Sequence, residues 1–263
     1  MKNRLDNVFF QKQKNILNIF CTAGYPHLNS TIEVMKALEA NGVDIIELGM
    51  PYSDPLADGV VIQQSSHIAL ENGMTIGVLF DQLQHFRDEI SVPVILMGYM
   101  NPVLQYGFEK FCAAARAVGV DGIILPDLPM YEFETEYKVI LEKYQLHFIF
   151  LVTPETGKDR IRKIDSLGSG FIYAVSSSST TGNSQDGAEI KGIEALQLYL
   201  KQLHDMHLKT PFLVGFGIKD ATSFDAACSY SSGAIIGSAY INALKINGDI
   251  QQTTKEFLIG IRD

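Results

Sequence analysis

The chain has 263 residues, 46% of them hydrophobic and 19% charged, which is typical of a globular protein with one large domain or two small ones. Its net charge of −9 argues against broad nucleic-acid or anionic-membrane binding, because both need an excess of Lys and Arg on the contact face. A small anionic ligand remains possible, since glycine-rich loops and helix N-termini hold phosphate through backbone N–H groups.

The first residues, MKNRLDNVFFQKQKN, lack the apolar run and cleavage site of a signal peptide. No later stretch approaches the roughly 20 apolar residues of a membrane span, so we expect a cytoplasmic protein. Cys21, Cys112 and Cys228 are far apart and match neither a disulfide framework nor a metal pair, which predicts core packing for all three.

Short apolar runs alternate with amphipathic runs along the whole chain. The predicted strands are 16–22, 44–49, 92–98, 121–126, 147–152, 170–176, 212–217 and 234–238. The predicted helices are 30–41, 107–119, 132–144, 157–167, 190–206 and 220–231. In the helix at 30–41, Ser30 is the expected N-cap, with Glu33 three residues later, and Asn41-Gly42 marks the end.

The predicted strands are near-continuous apolar runs, as expected for a parallel sheet that is covered on both faces. Strand–helix alternation of this length favours a (β/α)₈ TIM barrel over an open doubly wound sheet. Without a composition shift or linker, we expect a single barrel domain over residues 1–263. The reacting groups should then lie at the C-terminal ends of the strands.

Glu47 lies inside the apolar strand DIIELG, where a lone carboxylate loses hydration. Burial in a partly apolar pocket would raise its pKa enough for proton transfer near neutral pH. The alternative is a buried glutamate that is satisfied by backbone groups. Asp54 and Asp58 follow on a loop with proline and glycine neighbours, where carboxylates also form turns or cap helices. An ionised Asp58 beside a protonatable Glu47 would let one group move a proton while the other stabilises positive charge.

Glycines recur in the loops after the last three predicted strands. Gly182 follows the sixth strand, Gly215 and Gly217 the seventh, and Gly237 with Ser238 the eighth. In many barrels these loops and a short helix N-terminus form a phosphate site, and the alternative is plain tight turns.

The histidines lie outside the strand-end motifs, and His204 and His207 lack a third ligand, which predicts solvated surface rather than a metal site. The full set is His27, His67, His85, His147, His204 and His207.

Together these motifs resemble the tryptophan synthase α subunit family over essentially the whole chain. The most specific is ELGMPYSDPLADG at 47–59, which contains both candidate carboxylates. The others are CTAGYP (21–26), GYMNP (98–102), LPDLP (125–129), VGFGI (214–218) and GAIIGSA (233–239). The resemblance implies a barrel that cleaves indole-3-glycerol phosphate by a retro-aldol reaction into indole and glyceraldehyde 3-phosphate.

The resemblance also implies roles for single residues. Glu47 would protonate indole C3 and help remove the hydroxyl proton of the glycerol chain. Asp58 would accept a hydrogen bond from the indole N–H and stabilise the cationic intermediate. Tyr173 would lie near the active site. The indole pocket would contain Phe20, Met97 and Phe216, although each is also typical of barrel core. The phosphate would be bound by Gly182, Gly217, Gly237 and Ser238.

A partner is implied as well: a β subunit that carries pyridoxal phosphate, forms an α2β2 complex, and receives indole through a tunnel to condense it with serine. Asp54 and Asp127 would communicate with it, although exposed loop aspartates usually contact only solvent. No metal or organic cofactor is implied for this chain itself.

The chain departs from the family pattern after the sixth strand, where Ser177 and Ser179 stand at positions of an Arg and a Gly while Thr181 remains. Val60 also replaces a common proline. Two alternatives stay open. One is a free-standing lyase that releases indole, for which the altered loop is the only motivation. The other is a non-catalytic partner that activates a β subunit, against which the presence of both Glu47 and Asp58 argues. An unrelated phosphosugar isomerase or aldolase is disfavoured, because no strand end carries a clear lysine for Schiff-base chemistry.

Overall fold

Nine short parallel strands form one sheet in the order β5-β4-β3-β2-β1-β9-β8-β7-β6. The computed structural model describes residues 3–175, 186–215, 217–245 and 248–262, with no side-chain description for 186–195. The strands are β1 (Ile16–Thr22), β2 (Ile45–Gly49), β3 (Val94–Met97), β4 (Gly122–Ile124), β5 (His147–Phe148), β6 (Leu151–Val152), β7 (Ile172–Val175), β8 (Phe212–Gly215) and β9 (Gly233–Ile236).

The sheet closes on itself through the segment 147–152, which was predicted as one strand and here carries both β5 and β6. β5 pairs with β4, and β6 pairs with β7. Between them, the Ile149 N–H donates to the Ile123 carbonyl at 3.1 Å, and the Tyr173 N–H donates to the Phe150 carbonyl at 2.9 Å. The predicted (β/α)₈ barrel is therefore confirmed.

Helices surround the sheet. They are α1 (Arg4–Gln11), α2 (Ser30–Ala40), α3 (Val60–Glu71), α4 (Ile76–Gln82), α5 (Met100–Tyr106), α6 (Phe108–Val118), α7 (Met130–Glu132), α8 (Lys138–Lys143), α9 (Lys158–Leu167), α10 (Asp186–Asp205), α11 (Ala221–Cys228), α12 (Ser238–Leu244) and α13 (Ile250–Arg262). A 3₁₀ turn covers Phe86–Asp88, and a π-helical segment, Phe133–Tyr137, joins α7 to α8. No helix among the described residues is long and apolar enough to cross a membrane.

The six predicted helices are all present, but the predicted cap of α2 is wrong. Asn29 is the N-cap and makes no side-chain capping bond, while Ser30 is already the first helical residue. The predicted end is confirmed, since the helix ends at the C-cap Asn41 and Gly42 follows with φ +79°, a left-handed conformation that glycine adopts without strain.

Alternate strand residues fill the barrel interior, as the period of two in a strand requires. An apolar layer crosses the barrel, and Leu5 of α1 packs against it at the N-terminal end. Its buried members on strands are Ile16, Ile45, Ile95, Ile124, Leu213 and Ile235, joined by Ile149 between β5 and β6 and by Phe171 just before β7. The three cysteines are buried and unpaired, as predicted. Because this layer fills the barrel near the N-terminal ends of the strands, there is room for polar inward-facing side chains only towards the C-terminal ends.

Candidate active site

Glu47 is the central polar side chain of the barrel interior. It lies on β2 beside Phe20 of β1 and Ile95 of β3, with none of its surface exposed. The Asn18 side chain donates from Nδ2 to Glu47 Oε2 at 3.1 Å. Glu47 Oε1 has no hydrogen-bond partner within the described part of the chain. A buried oxygen left unpaired is rare in folded proteins, so this atom is available to a ligand.

Burial raises the pKa of Glu47 from 4.5 to about 8, the Asn18 hydrogen bond lowers it, and the charge of Asp58 raises it further. At neutral pH the side chain is therefore mostly the neutral acid and has a proton to give. The alternative of a glutamate satisfied by backbone groups is wrong, since its one hydrogen bond among the described residues comes from a side-chain amide.

Asp58 provides a second carboxylate in a different environment. It is half-buried in the loop after β2, and burial raises its pKa from 3.8 to about 6, while a hydrogen bond from Tyr99 lowers it. Asp58 does not cap the next helix, because the N-cap of α3 is Gly59 and no side chain bonds there. Between about pH 6 and pH 8 the pair therefore combines a neutral Glu47 with an ionised Asp58.

Tyr99 holds the loop that carries Asp58, a role that the sequence interpretation missed. Its hydroxyl accepts a hydrogen bond from the Ala57 N–H at 3.0 Å and forms a second hydrogen bond with the Asp58 side chain. Its ring lies 5.4 Å from that of Tyr52, centre to centre. The position of Tyr99 just after β3, within GYMNP, was the signal that could have identified it.

Tyr173 brings a phenol to the two carboxylates from the opposite side of the barrel. It lies on β7, and its pKa is raised well above 10 by burial and by the charges of Glu47 and Asp58. The neighbouring Gly215 leaves room for it, because a Cβ there would lie 2.5 Å from the Tyr173 hydroxyl oxygen. Gly215 was predicted in a loop glycine cluster, but it ends β8 and accommodates this ring.

The structure places two of the three predicted pocket residues at the same end of the barrel. Phe20 is buried on β1, and a Cβ on Gly49 would overlap its ring, so this glycine lets the ring lie across β2. Met97 is partly buried at the end of β3 and packs against the interior layer. Phe216 lies outside the described residues.

The predicted phosphate residues that the structure describes lie on two neighbouring loops. Gly217 follows β8 with φ +38°, and no atom of the described residues lies within 4 Å of where its side chain would begin, its chain neighbours aside. Gly237 is the N-cap of α12, directly after β9, and Ser238 is its exposed first residue. Because β8 and β9 pair in parallel, both loops leave the same edge of the barrel. Gly182 falls outside the described residues, as do Ser177, Ser179 and Thr181.

Asp54 and Asp127 are both exposed on loops after β2 and β4. Asp54 accepts a hydrogen bond from Ser53 Oγ at 2.5 Å. Both carboxylate oxygens of Asp127 accept from the Met100 N–H at 3.0 Å, which fixes the start of α5. Asp127 therefore has a local structural contact that the sequence did not reveal.

Five of the six histidines are exposed as predicted, but the surface prediction is wrong for His147. Its side chain is 15% exposed, and its Nε2 lies 3.1 Å from Asp6 Oδ1 of α1. Within the ranges that the structure describes, no group of three or more His, Cys, Asp or Glu side chains could hold a metal ion.

These features define a class: a (β/α)₈ barrel with a buried neutral acid and an anion beside it at the end of the barrel where enzymes of this fold have their active sites. A family model described as tryptophan synthase alpha chain matches residues 7–260. The chain belongs to this family. It is accordingly a lyase that cleaves indole-3-glycerol phosphate to indole and glyceraldehyde 3-phosphate.

Individual relatives agree over nearly the full length. The tryptophan synthase alpha chain of Parabacteroides distasonis is 50% identical over 243 residues, covering 92% of this chain and 93% of that one. The crystal structure of the Legionella pneumophila alpha chain has a TM-score of 0.87 at 31% identity, covering 100% and 97% of the two chains. The aminoacrylate-bound tryptophan synthase of Mycobacterium tuberculosis has a TM-score of 0.84 at 29% identity, covering 99% and 100%.

Proposed function

We propose that Glu47 is the catalytic acid and base of the cleavage and that Asp58 is the anion that stabilises its cationic intermediate. The observation that carries this proposal is the pair itself: a buried Glu47 with Oε1 unpartnered, beside a carboxyl group of lower pKa. Two carboxyl groups whose environments separate their pKa values can divide acid and anion roles.

In this mechanism Glu47 gives its proton to indole C3, and positive charge develops at the indole nitrogen, where the Asp58 carboxylate accepts the N–H. The Glu47 carboxylate then takes the proton of the side-chain hydroxyl next to the ring. The C–C bond breaks, its electron pair restores the aromatic indole, and the hydroxyl carbon becomes the aldehyde. One proton enters and one leaves, so Glu47 returns to its starting state. A fixed anion at the developing charge lowers the barrier without reorganisation.

We assign supporting roles to the other residues. Tyr173 would border the reacting carbon chain, because its hydroxyl is close enough to both carboxylates to feel their charges. Phe20, Met97 and Phe216 would line the indole pocket. Gly182, Gly217, Gly237 and Ser238 would bind the phosphate at the loops after β7, β8 and β9. Residues 1–263 would work as one barrel domain in the cytoplasm.

A β subunit with pyridoxal phosphate would take up the indole in an α2β2 complex. Aminoacrylate, named for the M. tuberculosis relative, is serine less water and adds indole to give tryptophan. Apolar side chains are exposed near the site: Leu56, on the loop after β2, is 95% exposed, and Tyr131, on α7 after β4, is 75% exposed. Exposed apolar groups mark interaction surfaces, and Asp54 and Asp127 lie on the loop that carries Leu56 and on the loop that leads into α7.

The test is indole formation from indole-3-glycerol phosphate, by the chain alone and with a tryptophan synthase β subunit. We expect slow turnover alone, a large increase with β, and a loss of roughly 10² to 10⁴-fold in Glu47→Gln, the range typical of general acid–base groups. Glu33→Gln, at an exposed position on α2, is the matched control and should keep full activity.

Two outcomes would replace the proposal. If the isolated chain turns over quickly and the β subunit does not change its rate, a free-standing lyase would be favoured. If wild type and Glu47→Gln are equally inactive but both activate the β subunit, a non-catalytic partner would be favoured.

A further inference from the structure

Asn18 is a second polar side chain enclosed in the barrel beside Glu47. It lies on β1 with none of its surface exposed, two residues after Ile16 of the apolar layer. Its Nδ2 donates to Glu47 Oε2 at 3.1 Å, whereas its own Oδ1 has no partner among the residues that the structure describes. A buried amide that is only half satisfied is unfavourable, so its presence calls for a reason.

Packing does not supply that reason. The inward-facing residues of the layer beneath Asn18 are mainly Ile and Leu. A leucine has nearly the shape of an asparagine and would fill the same space without an unpaired acceptor. What the amide adds is a hydrogen-bond donor aimed at one particular oxygen of Glu47.

That hydrogen bond makes the two oxygens of Glu47 different. A proton on a carboxyl group cannot occupy the oxygen whose lone pair already accepts from Asn18 without competing with that bond. The proton therefore belongs on Oε1, the oxygen without a partner in the described structure. In the carboxylate form, Oε2 still accepts from the amide, and that bond is stronger because the acceptor is charged.

We propose that Asn18 is a positioning residue that directs the exchangeable proton of Glu47 to Oε1 and holds this oxygen towards the substrate. The inference rests on the proposed function of Glu47. By favouring the carboxylate form, Asn18 also keeps the buried acid ionisable enough to act as a base in the second half of the reaction.

The other groups around Glu47 do not provide this bond. Asp58 approaches from the loop after β2, Tyr173 from β7 and Cys21 from β1, and each interacts electrostatically with Glu47. All three are acids, and none donates a hydrogen bond to Glu47 in the described structure. The effect of Asn18 on proton transfer should therefore be separable from theirs.

The test is Asn18→Leu, which replaces both polar atoms with methyl groups. In the pH profile of kcat/KM for indole-3-glycerol phosphate, we expect the alkaline limb to move to higher pH by roughly 0.5 to 1 unit. The reason is that the Glu47 carboxylate loses the hydrogen bond that the Asn18 amide donates to it. We expect kcat to fall by about tenfold from loss of orientation. KM should change little, since Asn18 is fully buried and lies nearer the N-terminal ends of the strands than Glu47. Asn18→Val gives the same comparison with a β-branched residue that suits a strand.

Ile16→Leu, a change on the same strand and the same face, is the control and should leave the alkaline limb in place. Carbon-13 NMR of the Glu47 carboxyl, assigned with Glu47→Gln, provides a second measurement that does not need activity. If the Glu47 titration and the alkaline limb are both unmoved in folded Asn18→Leu, Asn18 is merely structural and the inference is overturned. If Glu47→Gln keeps full activity, the proposed function fails instead, and the role of Asn18 fails with it.

Discussion

Replacing Glu47 by glutamine should remove activity. It should also make the folded protein more stable than the wild type, by a margin that grows as the pH rises. Glutamine has the shape of the neutral acid and still presents an oxygen to Asn18. The folded wild type keeps a proton on Glu47 up to about pH 8, whereas the unfolded chain loses it near pH 4.5. Between these values the folded state binds more protons, so the wild-type free energy of unfolding falls relative to the variant as pH increases.

The size of the effect follows from the pKa. Each pH unit between the two pKa values is worth about 1.4 kcal/mol. Between pH 5 and pH 8 the variant should therefore gain up to about 4 kcal/mol over the wild type, as an upper limit. For a chain of this size, that corresponds to roughly 8 to 16 °C in the thermal midpoint.

The assay is thermal unfolding of wild type and Glu47→Gln, followed by circular dichroism at half-unit steps from pH 5 to pH 9. The difference between the two should widen up to about pH 8 and then level off. Glu33→Gln, whose side chain is exposed on α2, should show no such widening. Parallel curves for wild type and Glu47→Gln would mean that Glu47 ionises normally in the folded protein, which would refute the reasoning.

Three further predictions concern the site. The kcat/KM profile should be bell-shaped, with limbs near pH 6 and pH 8, because Asp58 loses its charge below the first and Glu47 its proton above the second. As part of this same prediction, the profile of Asp58→Asn should lack the enzyme's acidic limb and keep only the limb due to the substrate phosphate. Tyr99→Phe should move the acidic limb upwards, because the hydroxyl that lowers the pKa of Asp58 is gone. Gly215→Ala should reduce kcat/KM by roughly 10 to 100-fold, because the new methyl displaces the Tyr173 hydroxyl.

Each of these has a result that would contradict it. A profile without an alkaline limb would contradict a neutral Glu47. An unmoved acidic limb in Tyr99→Phe would show that the hydroxyl does not act on Asp58. Gly260→Ala on α13 is the control for Gly215→Ala, because outside the adjacent backbone of α13 no atom of the described residues lies within 4 Å of the new methyl. Equal activity of the two variants would exclude the steric argument.

The strands were predictable because a covered parallel sheet gives continuous apolar runs. Six of the described helices lie outside the predicted ranges, namely α1, α3, α4, α5, α12 and α13. Of these, α5 is separated from the predicted helix α6 only by Gly107. The prediction that Ser30 caps α2 was wrong because the start of the helix depends on the preceding turn, in which the Ser30 N–H donates a hydrogen bond to the His27 carbonyl.

Glu47 was predictable because a carboxylate stands out in an apolar strand. The same signal was present for Asn18 in ILNIFCT and was passed over, because an uncharged amide is less costly to bury. The roles of Tyr99 and Gly215 depend on contacts with Asp58 and Tyr173, which are distant in sequence. Only the closed barrel brings these residues together, so spacing along the chain does not reveal them.

The proposed chemistry depends above all on Glu47 being a neutral acid at neutral pH beside an ionised Asp58. Carbon-13 NMR titration of the labelled glutamate carboxyls, with Glu47→Gln to identify the signal, measures this directly. The titration midpoint of Glu47 should lie near pH 8. A midpoint near the ordinary value of 4.5 would contradict it, since the group would then hold no proton to deliver to indole C3.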